Sequence, residues 1–232
     1  MLLGLASVAC SAHGNFELAA WMILWGALLD KADGSAARLL KASSRFGAEF
    51  DSFADFIAFG IAPAALYFFR VEAAFSGVGR SILLATTGLY VLAVAVRLAR
   101  FNISTPPHGD QFFYGFPTTL MGAILGAFYL TREAYGTAVG LGLLEFTPLI
   151  LFMAGLCMVS TIRIPKLKHR KSLFANIFQY GNVTVAYILA PMMLLPEVLF
   201  VMPLIYIAWG VTHCLLNPLP DEEETEDDII HA

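Results

Sequence analysis

The 232-residue sequence is poor in charge: Asp, Glu, Lys and Arg make up 14% of it, against 58% apolar residues. Mean hydropathy is +0.71. Soluble domains carry about 25% charged and about 45–50% apolar residues. One soluble domain of this size cannot hide so much apolar surface behind so few charges, which excludes a water-soluble enzyme, a disordered chain and a nucleic-acid binder. Cysteine is scarce as well. Cys10, Cys157 and Cys214 stand far apart, form no CxxC and offer no disulfide framework, so they read as small buried hydrophobes. The five histidines make no HExxH or other paired-ligand pattern, which leaves zinc hydrolysis without support. His108 and Asp110 fall in a Pro-rich loop and read as a solvated turn.

What the sequence does have is a series of apolar runs of membrane-spanning length. A short one, Met1 to Ala12, is followed by Phe16 to about Leu40, Phe46–Phe69, Arg80–Phe101, Pro117–Leu130, Thr137–Ser160, Gln179–Leu195 and Val198–Leu216. Open strands cannot span lipid, so all are helix candidates. The fold expected is an all-α, polytopic integral membrane bundle of about eight transmembrane helices. Twelve helical residues reach only about 18 Å, against a hydrocarbon core of about 30 Å, so the first helix is expected to be truncated. It lacks the basic flank of a signal peptide. Pro203 marks a kink or a late start in the last run. Residues 1–217 form one membrane-embedded domain in this reading, and residues 218–232 a disordered acidic tail. Asp221 to Asp228 hold seven acidic residues, so the formal charge of −4 belongs to the tail.

The basic residues give the topology. Lys31, Arg38, Lys41 and Arg45, then Arg97 and Arg100, then Arg163, Lys166, Lys168, Arg170 and Lys171 flank alternate connections, whereas the other side has only Arg70, Arg80 and Arg132. The denser side is cytoplasmic, which places both termini there.

The most informative stretch, DKADGSAARLLKASSRFGAEFDSFAD, runs from Asp30 to Asp55. Ionisable groups in apolar helices are expensive and default to function. Asp30, Asp33, Gly34 and Ala37 lie at i, i+3, i+4 and i+7, one face of a helix, with Arg38 beside it. Gly47, Asp51 and Asp55 lie at i, i+4 and i+8 on the next. Two such faces, antiparallel across a short polar turn, converge four carboxylates on one point. Such a group needs cations, and hard divalent ions with oxygen ligands suit it. Arg38 has the planar fork that binds phosphate, and the small residues let a bulky ligand approach the backbone. The residue types point to a metal–phosphate site at the cytoplasmic end of a bundle.

The spacing D-x2-D-G-x2-A-R-x8-G-x3-D-x3-D resembles the defining motif of the CDP-alcohol phosphotransferases, with every fixed position present. The resemblance implies a membrane enzyme with a six-helix core that moves a phosphatidyl or similar group from a CDP-activated donor to an alcohol. SRFGAEFDSFADFIAFGIAPA (Ser44–Ala64), RLARFN (Arg97–Asn102), FYGFP (Phe113–Pro117) and MVSTIRIPK (Met158–Lys166) are similar to the phosphatidylserine synthase branch, whose members use CDP-diacylglycerol and L-serine. Ala58 stands where that branch usually has serine, and Thr119 where a second proline often follows FxGxP.

The roles implied are these. Asp30, Asp33, Asp51 and Asp55 bind one or two Mg2+ or Mn2+ ions, and Asp55 is also the base that takes the acceptor's proton. Asp30, Gly34, Ala37, Arg38 and Gly47 bind the CDP donor. Serine carries a carboxylate that calls for a cation, so Arg100 and Arg163, with Asn102 and Ser160, form the expected acceptor pocket. The resemblance also implies a homodimer in the inner (cytoplasmic) membrane. The near alternative is a sister enzyme with glycerol 3-phosphate, inositol phosphate or choline as acceptor. The remote one is a transporter with buried carboxylates, for which an internal repeat and midplane charges are expected and not found.

Overall fold

The structure, a computed structural model, describes residues 1–39, 44–104, 112–135, 146–165 and 173–216. The acidic tail, Lys41, the 166–171 basic cluster and the His108–Asp110 loop lie outside the described residues. So do the side chains of Ala37, Arg38 and Arg163. In chain order the elements are α1 (Leu2–Ala12), α2 (Phe16–Leu39), α3 (Arg45–Asp55), a π-helical stretch (Phe56–Ile61), α4 (Ala62–Val71), a 3-10 turn (Glu72–Ala74) and α5 (Gly77–Ser104). Then follow β1 (Phe112–Tyr114), α6 (Thr118–Ala134), α7 (Thr147–Val159), β2 (Arg163–Pro165), α8 (Leu173–Leu189) and α9 (Pro196–Leu216). Helix α2 packs on α1 and α6, α5 on α7, and α6 on α9.

Among the described residues, two helical stretches, Phe46–Val71 and Gly77–Ile103, are long and apolar enough to cross a membrane. Large apolar side chains point outward along them and along α7. Leu84, Leu92 and Ile103 on α5 and Leu149, Phe152 and Leu156 on α7 are all exposed. A band of this kind is costly in water and ordinary against lipid. Charge collects at the helix ends. At the end carrying Arg70, Arg80 and Arg132, each arginine meets a carboxylate: Arg70–Glu133 at 3.3 Å, Arg132–Glu133 at 3.2 Å and Arg80–Glu72 at 3.4 Å.

The break between α3 and α4 follows from Pro63. Proline has no N–H to return to the carbonyl four residues earlier, that of Phe59. The helix widens to the π form over Phe56–Ile61, and the Tyr90 hydroxyl donates to the Phe59 carbonyl at 2.7 Å. Phe59 turns into the core, where glycines admit it: a Cβ on Gly122 would lie 2.7 Å from its ring. On the other flank a Cβ on Gly4 would lie 2.7 Å from the Ala58 Cα. Ala58 is therefore buried under α1 as a packing position.

The all-α reading has one departure, a three-residue antiparallel ribbon that pairs Tyr114 with Arg163 and Phe112 with Pro165. Two expected boundaries also shift. The run read as Gln179–Leu195 is helical from Leu173 to Leu189, because Pro191 disfavours helical backbone at the residue before it; the turn that follows holds Met193 and Leu195 at positive φ. The last helix passes through Pro203 instead of starting after it.

Candidate active site

Five element ends meet at one pole of the bundle: the C-terminal ends of α2, α5 and α7 and the starts of α3 and α6. Ser44 starts α3, accepting a hydrogen bond from the Gly47 N–H at 3.0 Å. Among the described residues outside the helix's own backbone, the Ser44 hydroxyl is the one group within 4 Å of where a Gly47 Cβ would stand. Helix α3 then presents Phe46, Phe50 and Phe53 outward, with the Phe46 and Phe50 rings stacked at 6.1 Å. Asp51 and Asp55 lie on another face.

Asp30 and Asp33 from α2 meet Asp51 from α3, one carboxylate oxygen of each lying within 4.8 Å of the other two. Asp33 and Asp51 are exposed, and Asp30 is half-buried. Asp55 lies one turn deeper than Asp51 and is in side-chain hydrogen-bond contact with Asp30. The Thr119 hydroxyl, in the first turn of α6, donates to Asp30 Oδ2 at 3.2 Å. The second departure from the branch pattern thus puts a donor where a proline has none. The oxygens around an octahedral Mg2+ stand about 3 Å apart. The donor set is all oxygen, which suits a hard divalent cation and not a thiophilic one.

Arg97 stands behind Asp55, within its electrostatic reach. In sequence it is one of the topology-setting basic residues and the first residue of RLARFN. It is buried, donates from Nε to the Phe116 carbonyl at 2.9 Å and lies over the Phe101 ring at 5.5 Å. The one sequence signal, a cation within an apolar helix, is shared by Arg100 three residues on.

The four residues assigned to the acceptor are less tightly grouped. Arg100 closes the C-terminal end of α7, donating to the carbonyls of Val159 (3.0 Å), Met158 (3.4 Å) and Ser160 (3.1 Å). Cations at this position satisfy orphan carbonyls and the negative end of the helix dipole. The Ser160 hydroxyl donates to the Cys157 carbonyl at 2.7 Å. Asn102 ties α5 to α3 through Ser52 at 3.1 Å and Glu49 at 3.3 Å, one helix face away from Asp51. Arg163 lies on β2, opposite Tyr114. Gly115 explains the FYGFP block. Its φ is +75°, its N–H donates to Ile162 at 2.8 Å, and a Cβ there would collide with the Met158 and Ser160 carbonyls. The ribbon, α7 and Arg100 thus pack around a residue that must lack a side chain.

The family model of the CDP-alcohol phosphatidyltransferases matches residues 1–147, which include α1 to α6 and all four aspartates. The chain belongs to the CDP-alcohol phosphatidyltransferase family. Several members of the family named CDP-diacylglycerol–serine O-phosphatidyltransferase are similar to it. The one from Helicobacter pylori is 36% identical over 171 residues, covering 74% of this chain and 70% of its own. The one from Saccharomyces cerevisiae is 34% identical over 168 residues, covering 65% and 59%. The one from Bacillus subtilis is 33% identical over 165 residues, covering 71% and 84%. The four aspartates lie within the matched residues, and three of them, Asp30, Asp33 and Asp51, form the carboxylate cluster of the structure.

Proposed function

We propose that this protein is a membrane-embedded CDP-diacylglycerol–serine O-phosphatidyltransferase, which moves a phosphatidyl group from CDP-diacylglycerol to the hydroxyl of L-serine and releases CMP. The observation that carries the reading is the convergence of Asp30, Asp33 and Asp51 within 4.8 Å, with Asp55 against Asp30, in a chain 36% identical to a protein of that name.

In this reading Asp30, Asp33 and Asp51, joined by Asp55, hold one or two Mg2+ or Mn2+ ions. Held by these carboxylates, such an ion would supply positive charge against the donor diphosphate and the leaving CMP. Arg38 contacts phosphate, and Gly34, Ala37 and Gly47 leave room for the cytidine. Asp55 accepts the proton of the serine hydroxyl while that oxygen forms its bond to the β-phosphorus in line. The bond from that phosphorus to the bridging oxygen breaks, and CMP leaves with the oxygen and its electron pair. Thr119 holds the Asp30 carboxylate in place, and Arg97 offsets charge behind Asp55.

Arg100, Asn102, Ser160 and Arg163 form the acceptor pocket at the mouth of the site. Arg163→Ala is expected to raise the serine KM about tenfold while changing kcat less, as loss of ground-state binding does. Steady-state kinetics on purified protein measures this, and an unchanged serine KM removes Arg163 from the pocket.

The chain crosses the inner membrane eight times as a homodimer, with residues 218–232 as a tail. The site and both termini face the cytoplasm. Eleven of fourteen basic residues on one side support that orientation. The deciding experiment is a product assay on membranes holding the enzyme, with radiolabelled CDP-diacylglycerol and each alcohol in turn. Serine is expected to give labelled phosphatidylserine and stoichiometric CMP. Faster transfer to glycerol 3-phosphate, inositol phosphate or choline would reassign the acceptor, and no transfer at all would remove the enzyme reading.

A further inference from the structure

In a regular α-helix Asp51, Asp55, Ala62 and Leu66 stand at i, i+4, i+11 and i+15, which is one face at about 100° per residue. Ala62 and Leu66 are both 0% exposed, so an unbroken helix would aim the two carboxylates with the core. The π-helical stretch Phe56–Ile61 prevents this. In it the Ala62 N–H reaches the Ile57 carbonyl, five residues back instead of four. A π turn takes in about one residue more than an α turn, so the acidic face is rotated roughly 100° away from the face of Ala62 and Leu66. Asp51 is accordingly exposed, and Asp55 is half-buried against Asp30.

Helix α5 holds this turn through one face. Tyr90, Val94 and Arg97 are buried and lie at i, i+4 and i+7. The Tyr90 hydroxyl donates at 2.7 Å to the Phe59 carbonyl, the one whose α-helical donor Pro63 removes. A Cβ on Gly60 would lie 3.1 Å from Val94 Cγ1, so the turn sits close against α5. Arg97 stands behind Asp55. Tyr90 and Phe59 lie in the closed interior, where water does not replace a lost donor. Nearer the mouth of the site, Asn102 of the same helix ties Ser52 at 3.1 Å. Asp55 therefore lies between two anchor points on α5, Ser52 before it and Phe59 after it.

Resting on the transferase reading above, we propose that Tyr90 is a positioning residue for Asp55. Its hydroxyl fixes the rotation of the π turn, and with it the direction from which the Asp55 carboxylate meets the serine hydroxyl. Tyr90 acts through the turn and not on the substrate. Without the hydroxyl, the Phe59 carbonyl lacks this donor in an apolar interior. The turn relieves that by rewinding, which swings Asp55, four residues earlier in the chain. Asp51 moves less, because Ser52 beside it stays tied to Asn102. Packing does not supply the same control. Phe59 against Gly122 and Gly60 against Val94 fix where the turn sits, whereas a hydrogen bond also has a direction.

The test is a double-mutant cycle on purified protein, read with radiolabelled CDP-diacylglycerol and the alcohol that wild type uses. Tyr90→Phe keeps the ring and removes only the hydroxyl. It is expected to lower kcat at least about tenfold, as a misplacement of about 1 Å does, and to leave both substrate KM values within about twofold. In an Asp55→Asn background the same change is expected to cost less than about twofold, since the group it aims is gone. A loss of folded protein would cost the same in both backgrounds. 4-Aminophenylalanine in place of Tyr90 returns a donor to the same point and is expected to bring kcat to within about threefold of wild type. That rescue decides where Asp55→Asn leaves no rate to measure. Where Tyr90→Phe does not fold, 4-fluorophenylalanine takes its place, filling the space of the oxygen without donating. Wild-type kcat in the variant that lacks the donor, equal losses in the two backgrounds, or no rescue by the amine each overturn the role of Tyr90 and leave the transferase reading intact. Wild type that transfers to no alcohol removes the transferase reading and this inference with it.

Discussion

Asp55→Asn is expected to leave a folded protein that binds the CDP donor and turns over at least about a thousandfold more slowly. General bases contribute about 10²–10⁴ in rate. Asparagine matches the shape of aspartate, and its amide can donate to the Asp30 carboxylate that Asp55 contacts. Packing behind it changes little, because Arg97 keeps its hydrogen bond to Phe116 and its place over Phe101. What asparagine cannot do is accept the serine proton. Transfer of label to serine and equilibrium binding of CDP-diacylglycerol, measured on the same purified preparation, separate the two effects. Near-normal turnover would end the base assignment. Loss of both binding and turnover would instead give Asp55 a role in holding the donor.

The second large effect concerns the three converging carboxylates. Chelation with EDTA is expected to abolish transfer, and Mg2+ or Mn2+ to restore it. Asp51→Asn replaces one carboxylate of the three that converge by a neutral amide, while leaving Asp30 anchored by Thr119. It is expected to raise the metal concentration for half-maximal activity at least about tenfold, in line with the loss of ligands from metal sites. Activity that survives exhaustive chelation, or a variant with the wild-type metal titration, contradicts the assignment. Thr119→Val makes a useful comparison, since it frees Asp30 without removing a carboxylate.

Several features of this site were invisible in one dimension. Arg97 and Arg100 share a helix three residues apart, yet Arg97 is buried behind Asp55, whereas Arg100 caps the end of α7. Nothing in RLARFN distinguishes them, because the difference lies in what packs against α5. Thr119 and Asp30 are 89 residues apart, so their hydrogen bond depends on α6 starting against the end of α2. Asn182 reads as one polar residue in an apolar run, and only the packing shows that, among the described residues, its buried amide has no hydrogen-bond partner. The ribbon of Phe112–Tyr114 with Arg163–Pro165 escaped because three residues carry too little alternation to signal a strand.

The sequence by itself determined the helical character of the chain, the two faces of the acidic motif and the uneven split of basic residues between alternate connections. Each is a local property: a helix repeats every 3.6 residues, so Asp30 with Asp33 and Asp51 with Asp55 share faces before any neighbour is known. Tertiary structure decided which groups meet across helices. It placed Asp51 against Asp30 and Asp33, set Arg97 behind Asp55, and used Pro63 and Tyr90 to open a π-helical turn directly after Asp55. Those contacts depend on helix crossings, and the crossings depend on glycines such as Gly4 and Gly122, whose missing side chains let backbone and ring come within 2.7 Å of where a Cβ would be. Spacing along one helix is fixed by backbone geometry, whereas approach between helices is fixed by the volumes that must fit between them.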